Sequence, residues 1–242
     1  MAPQRAPRKL ALLVGINYPG TSNELRGCVN DVNAIYRHLI TVRGYLPEDI
    51  VVLTDAMATG RRIMHELALL LLRGHQASQG HQASQGPELF FHYSGHESQT
   101  IDRDGDESDG LDETIVPVDH LTQGVITDDQ LCSYLEHIPP GCNMYCLMDC
   151  CHSGTILDLS RLSSDGQSRC SCISGCLDSQ TSADAFFGSP EAGRYAGAMT
   201  SAYLACAGSE SESEFSPKLV EDMRRWLSDR GFGQFPTLTT NG

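Results

Sequence analysis

The stretch Met144-Tyr145-Cys146-Leu147-Met148-Asp149-Cys150-Cys151-His152-Ser153-Gly154 carries the groups in this 242-residue chain best suited to covalent chemistry. An apolar run fit for a buried strand ends in an acid, two thiols, an imidazole and a Ser-Gly pair. In an open α/β sheet, ligands and chemistry gather where a strand gives way to its loop. A thiol is a strong nucleophile, but little of it is thiolate at neutral pH unless a base or cation lies nearby. Cys151 therefore calls for an imidazole. His152 is poorly placed, because adjacent residues leave the backbone in diverging directions. His96, in Tyr93-Ser94-Gly95-His96, ends a different apolar segment in a Gly-flanked turn that would face the same crevice. By residue type alone, the two read equally as nucleophile and base or as a structural thiol and a surface histidine. Strand alternation turns Cys150 toward the core, as packing rather than chemistry.

The elements that must position these groups alternate between strand and helix. Residues 9–16 form a continuous apolar run suited to a strand buried on both faces. Val32, Ile35, Tyr36, Leu39 and Ile40 recur at helical spacing over 31–43, with Gly44 as the stop. A β-branched strand follows at 50–54, then a helix capped by Thr59 over about 60–72. Residues 74–79 repeat verbatim as 80–85 and read as a tolerated polar insertion without chemistry. A third strand spans 88–93, and 102–113 reads as a long acidic loop. Thr127 caps a helix through about 137, and the strand holding Cys146 begins near 143. Beyond a polar linker at 162–169, a short strand is expected at 170–176, a small-residue helix at 193–207, a solvated loop at 209–214, a helix from Ser216-Pro217 to 230 and a last strand at 235–240. This order predicts an α/β fold with a mainly parallel sheet and helices on both faces.

Composition narrows the function. A formal charge of −14 argues against binding nucleic-acid phosphates and favours a basic substrate or a bound cation. No apolar run is long enough to span a bilayer, and the start lacks a signal peptide's apolar stretch, so an intracellular protein is expected. Ten irregularly spaced cysteines then read as buried or catalytic thiols rather than disulfides. Cys142, Cys146, Cys170, Cys172 and Cys176 contain no pair of CxxC motifs at finger spacing, so structural zinc is not expected.

Tyr93-Ser94-Gly95-His96 followed by Asp149-Cys150-Cys151-His152-Ser153-Gly154 resembles the paired signature of metacaspases, in the caspase-like clan of cysteine peptidases. Leu25-Arg26-Gly27-Cys28-Val29-Asn30-Asp31-Val32, Asp109-Gly110-Leu111-Asp112-Glu113, Pro117-Val118-Asp119 and Gln180-Thr181-Ser182-Ala183-Asp184 extend the resemblance along nearly the whole chain. The short 162–169 linker favours the type I layout found in fungi. The Pro/Gln-rich arm usual in type I members is not expected, since about eight residues precede the first strand.

The resemblance implies a caspase-like three-layer sandwich with a central sheet of about six strands. Residues 1–242 would form one peptidase domain, with a large-subunit-like region at 1–161 and a small-subunit-like region at 170–242. It implies Cys151 as nucleophile, His96 as acid/base, and an oxyanion held by the backbone N–H groups of Cys151 and Glu97. Glu97 stands where the family has glycine. If that position needs φ > 0, a side chain there costs about 1 kcal/mol or more, and reduced activity is expected. Cleavage after Arg or Lys follows from pocket acids matching Asp31 and Asp149, with Ser94 and Cys28 lining; taken by itself, Asp31 also suits the cap of the first helix. Asp112, Asp128, Asp129 and Asp158 match the family's Ca²⁺ ligands, although Asp128 and Asp129 also suit a helix N-terminus. The run from Asp102 to Glu113 is no EF-hand, because its sixth position is Glu107 rather than Gly. The expected protein is a calcium-dependent, self-processing cysteine endopeptidase, monomeric, of the cytoplasm or also the nucleus, acting on protein or peptide substrates without nucleic-acid or membrane partners. The alternative is a catalytically weak homologue serving as a calcium-responsive scaffold in protein quality control.

Overall fold

The computed structural model describes residues 7–79, 86–102, 105, 110–150, 157, 159, 162, 168–176, 184–187, 194–208 and 215–241. In chain order the first half contains β1 (Lys9–Gly15), α1 (Cys28–Thr41), β2 (Ile50–Thr54), α2 (Gly60–Ser78), β3 (Glu88–Ser94), β4 (Glu97–Ile101) and β5 (Leu111–Ile115). There follow α3 (His120–Gln123), β6 (Ile126–Thr127), α4 (Asp128–Leu135), β7 (Asn143–Asp149), β8 (Arg169–Cys176), β9 (Asp184–Phe187), β10 (Arg194–Gly197), α5 (Ala198–Cys206), α6 (Pro217–Ser228) and β11 (Phe235–Thr240).

Six strands form the central sheet in the order β11-β8-β7-β3-β1-β2, parallel throughout except for β11 against β8. The apolar runs fit this placement because both faces are covered, so each successive side chain finds a core. In β1, Leu10, Leu12 and Val14 pack against α2 and α4, while Ala11 and Leu13 join the core beneath α1, α5 and α6. In β7, Met144, Cys146 and Met148 take the first face and Leu147 the second. Cys150 is buried in the first core, as alternation requires. No helix among the described residues is long and apolar enough to cross a membrane.

Thr59 caps α2 through a hydrogen bond from Arg62 N, and Thr127 and Gln130 form a complete capping box on α4. Ser216 caps α6 in the same way. Three expectations need correction. Helix α2 does not stop near 72; it continues to Ser78 through the first copy of the repeat, whose Gly74 and Ala77 face the core and whose Ala and Gln favour helix. The second copy lies outside the described residues. The acidic stretch is not all loop: 111–113 open β5, which pairs antiparallel with β4 from Glu97↔Ile115 to Ile101↔Leu111, β6 completes a separate three-stranded sheet, and 103–104 and 106–109 lie outside the described residues. Polar side chains hid these strands, because a small sheet outside the central layer needs no apolar run. The helix expected over 193–207 begins only at Ala198, because Arg194–Gly197 is extended and pairs with β9.

Candidate active site

Parallel pairing of β3 with β7 places Ser94 opposite Asp149, so the two segments of the Cys–His signature leave the sheet at the same rim. Gly95 N reaches Asp149 O at 3.5 Å across that rim. His96 lies two residues beyond Ser94. Cys151, two residues beyond Asp149 in sequence, lies outside the described residues, as does Asp158.

A cage of two buried tyrosines holds His96. Tyr18 Oη accepts from His96 N at 3.0 Å and donates to Val116 O at 2.6 Å. Tyr93 Oη donates to His96 O at 2.6 Å and accepts from Val116 N at 3.2 Å. Burial pushes both phenols well above their ordinary range, Tyr18 with the Tyr93 hydrogen bond opposing, so they remain neutral donors. Gly95 is required here, since a Cβ would stand 2.6 Å from Tyr93 Oη and 3.0 Å from Tyr18 Oη. The Tyr18 ring also lies against the imidazole, with centroids 4.7 Å apart and planes tilted by 34°. His96 Nε2 is 2.7 Å from Asn23 O. A carbonyl only accepts, so in the neutral ring Nε2 carries the proton and Nδ1 is left as the basic nitrogen.

Sequence reasoning missed both Tyr18 and Asn23. Tyr18 had a faint signal, an aromatic residue in Asn17-Tyr18-Pro19-Gly20 just past a strand end, and its φ of 51° marks it as unusual for a side chain of that size. Asn23 acts through its backbone, for which residue identity carries no signal.

The acids meet. Asp31 is not the N-cap of α1, which starts at Cys28 after Gly27; its side chain is buried and accepts from Ser94 Oγ at 2.8 Å. Gly197 N donates to both Asp31 oxygens, at 2.9 and 3.0 Å. Asp149 is 7 % exposed and its Oδ2 accepts from Thr200 N at 2.7 Å. A Cβ at Gly197 would collide with the Asp149 carboxylate and lie 2.8 Å from Asp31 Oδ2, so both acids flank one glycine. Asn30 Nδ2 donates to Tyr195 O at 2.8 Å, and Arg26 lies over the Tyr195 ring, tying β10 to α1. Cys28 is buried on the first turn of α1. Gly197 and Thr200 were not legible in the sequence as partners of these acids.

Glu97 does not carry the backbone strain it threatened. It opens β4 without a positive φ, so the steric cost of replacing glycine is not incurred. Val116 N donates to His96 O, which makes Glu97↔Ile115 a non-hydrogen-bonded pair and turns the Glu97 N–H away from β5.

The carboxylates matched to a metal are buried in part. Asp112 lies in β5 at 6 % exposure and Asp128 opens α4 at 4 %, and Thr114↔Thr127 pairing brings these two segments to one corner. Asp128 Oδ1 accepts from Asp129 N at 3.0 Å. The donors are hard oxygens suited to Ca²⁺. Among the described residues, no three His, Cys, Asp or Glu side chains converge to hold a metal ion. The core thiols are of another kind: a hydrogen bond with Cys170, then burial, raises Cys146, burial raises Cys172, and burial pushes Cys142 up to about 11. Such thiols stay protonated and inert.

The fold is that of the caspase-like peptidases. A caspase-1 from Spodoptera frugiperda superposes with a TM-score of 0.59 over 98 % of this chain and 87 % of its own, at 12 % identity. A Geobacter sulfurreducens protein reaches 0.68 over 98 % and 94 %, at 22 % identity. Residues 9–160 match the family model of the metacaspase, peptidase C14 domain, and the chain belongs to that family. Metacaspase-1 of Candida glabrata is 46 % identical over 161 residues, 64 % of this chain and 39 % of its own length. Metacaspase-1 of Yarrowia lipolytica is 47 % identical over 155 residues, 63 % of this chain and 32 % of its own. The match thus spans well under half the length of these relatives.

Proposed function

We propose that the protein is a calcium-dependent cysteine endopeptidase that cleaves after Arg or Lys and processes itself. The observation that carries this reading is the meeting of Asp31 and Asp149 in one buried cluster, at the strand ends that lead to His96 and Cys151. A cationic side chain entering there would meet two carboxylates out of bulk water, where a bidentate contact is strongest. His96 Nδ1 takes the thiol proton, and the Cys151 thiolate adds to the peptide carbonyl. The oxyanion is held by the N–H groups of Cys151 and Glu97. As the C–N bond breaks, His96 returns its proton to the leaving amine. Water, deprotonated by His96, then releases the acyl group and restores the thiol.

Ca²⁺ would be held by Asp112, Asp128, Asp129 and Asp158, where it would supply charge that lets buried acids approach. The chain's own part is to bring β5 and the start of α4 together. An Arg-containing fluorogenic peptide, assayed with and without millimolar Ca²⁺ against Cys151→Ala, tests the reading. Turnover should depend on both. Loss of Cys151 dependence would overturn the peptidase, and unchanged rate and melting temperature with Ca²⁺ would overturn the calcium requirement alone.

A further inference from the structure

We infer that Asp55 is a positioning residue for His96, acting through the loop 17–25 that it anchors, a role that rests on the reading of His96 as acid/base. Tyr18, with a φ of 51°, and Asp55, with a φ of 43°, are the two non-glycine residues of positive φ among the described residues. Both stand just past the ends of neighbouring strands, since β1 and β2 pair in parallel up to Gly15↔Thr54. One hydrogen bond links the two turns: Asn17 N donates to Asp55 Oδ1 at 2.7 Å. The left-handed region is unfavourable for a side chain as large as that of Tyr18, so the conformation persists only where its surroundings hold it, and such strain gathers at working sites. Asp tolerates that region better than most residues, so Asp55 can turn the chain after β2 and present its oxygen to Asn17.

What Asp55 holds is a loop closed on itself. Asn17 O accepts from Leu25 N at 2.7 Å, and Asn17 Oδ1 accepts from Val29 N at 3.4 Å. Tyr18 O accepts from Thr21 N at 3.2 Å and from Thr21 Oγ1 at 2.9 Å. Thr21 Oγ1 in turn accepts from Asn23 N at 3.2 Å. Tyr18 Oη, which holds the His96 amide, and Asn23 O, which faces Nε2, therefore both belong to a loop whose first amide is fixed to the end of β2. Releasing that amide lets the loop shift and carries the imidazole with it, which costs rate more than binding.

The test separates the Asp55 oxygen from the backbone turn. Asp55→Gly accepts the positive φ and removes the acceptor, whereas Asp55→Asn keeps an oxygen in the same place. With an Arg-containing fluorogenic peptide and Ca²⁺, Asp55→Gly should lower kcat roughly tenfold or more at nearly unchanged KM, and Asp55→Asn should stay within about threefold of the wild type. Iodoacetamide, followed at Cys151 by peptide mapping, should react more slowly in Asp55→Gly near neutral pH. Well above a free thiol's pKa of about 8.5, where no base is needed, it should react at the wild-type rate. Wild-type kcat in Asp55→Gly, a change confined to KM, or an Asp55→Asn as slow as Asp55→Gly overturns the positioning role. So does alkylation that is unchanged near neutral pH, or altered equally at both, as a general loss of structure would give. Should Asp55→Gly not fold, Thr21→Val decides, because Thr21 is exposed and its hydroxyl holds both Tyr18 O and Asn23 N. Its kcat should fall roughly fivefold, the scale of one hydrogen bond, and wild-type kcat there overturns the role of the loop. Absence of Cys151-dependent turnover in the wild type would instead sink the peptidase reading itself.

Discussion

Carboxylates are buried at both ends of the parallel strands, and the two ends hold them differently. At the N-terminal end, Asp49 is bound by Arg8 at 2.8 Å and Arg73 at 2.6 Å, and Glu88 by Lys9 at 2.9 Å and Arg43 at 3.6 Å. At the C-terminal end, Asp31 and Asp149 are bound by backbone amides and a serine hydroxyl. A guanidinium partner brings a formal positive charge to its carboxylate, whereas a backbone amide or a hydroxyl brings a hydrogen bond without one. Acidic residues thus serve as ion-paired staples at one end of the sheet, and at the other they form the cluster proposed above as the receptor for a basic side chain.

The sharpest way to break this contrast is to remove one acid from each end. Asp149→Asn should lower kcat/KM for an Arg peptide roughly hundredfold or more, because a buried charge pair would lose one partner. Equal turnover of Arg and uncharged peptides by the wild type would erase the receptor side of the comparison.

Between the two ends lies His92, fully buried in β3, with Nδ1 3.0 Å from Leu147 O. Burial lowers its pKa to about 4, the hydrogen bond opposing, from an unfolded value near 6.5. The unfolded chain therefore binds more protons than the native one between those values, and stability falls as pH drops through that window. The loss attributable to His92 should approach about 3 kcal/mol near pH 4. Urea titrations at stepped pH, with His92→Gln as reference, measure it; an equally steep profile in the variant would reject the assignment. His38, lowered by burial and then by Arg43, contributes with the same sign.

A smaller effect is expected at the rim from Tyr18→Phe, which keeps the ring beside His96 and removes the hydroxyl that holds its backbone. Turnover should fall roughly tenfold, in kcat more than KM, for loss of one buried hydrogen-bonded bridge. A rise in KM at unchanged kcat would place Tyr18 with the substrate rather than with His96.

Smallest is the staple. Asp49→Asn should lower stability by about 1 kcal/mol, since Arg8 and Arg73 are partly exposed and can turn to solvent, and should leave the preference for Arg over uncharged peptides unaltered. A changed preference would mean that the two ends are coupled.

Much of the fold was legible because apolar runs such as 9–16 and periodic segments such as 32–40 report burial on two faces or one. The hairpin of β4 and β5 was not, since Ser98, Gln99, Asp112 and Glu113 lie in a small separate sheet whose pairing replaces the hydrophobic signal. The repeat's helical half was hidden by its polarity, and the junction at Gly197 by the small residues on both sides of it.

Residue identity and local spacing by themselves determined the alternation of strands and helices and the candidate thiol and imidazole, and the family resemblance added the acids suited to a cation. Only the tertiary structure decided what holds them: that Gly197 N reaches Asp31 across 166 positions, that Thr200 N reaches Asp149, and that Tyr18 and Asn23 grip His96 from 78 and 73 positions away. Backbone amides and carbonyls are the same in every residue, so their partners follow from strand order, register and helix placement, which no local pattern encodes.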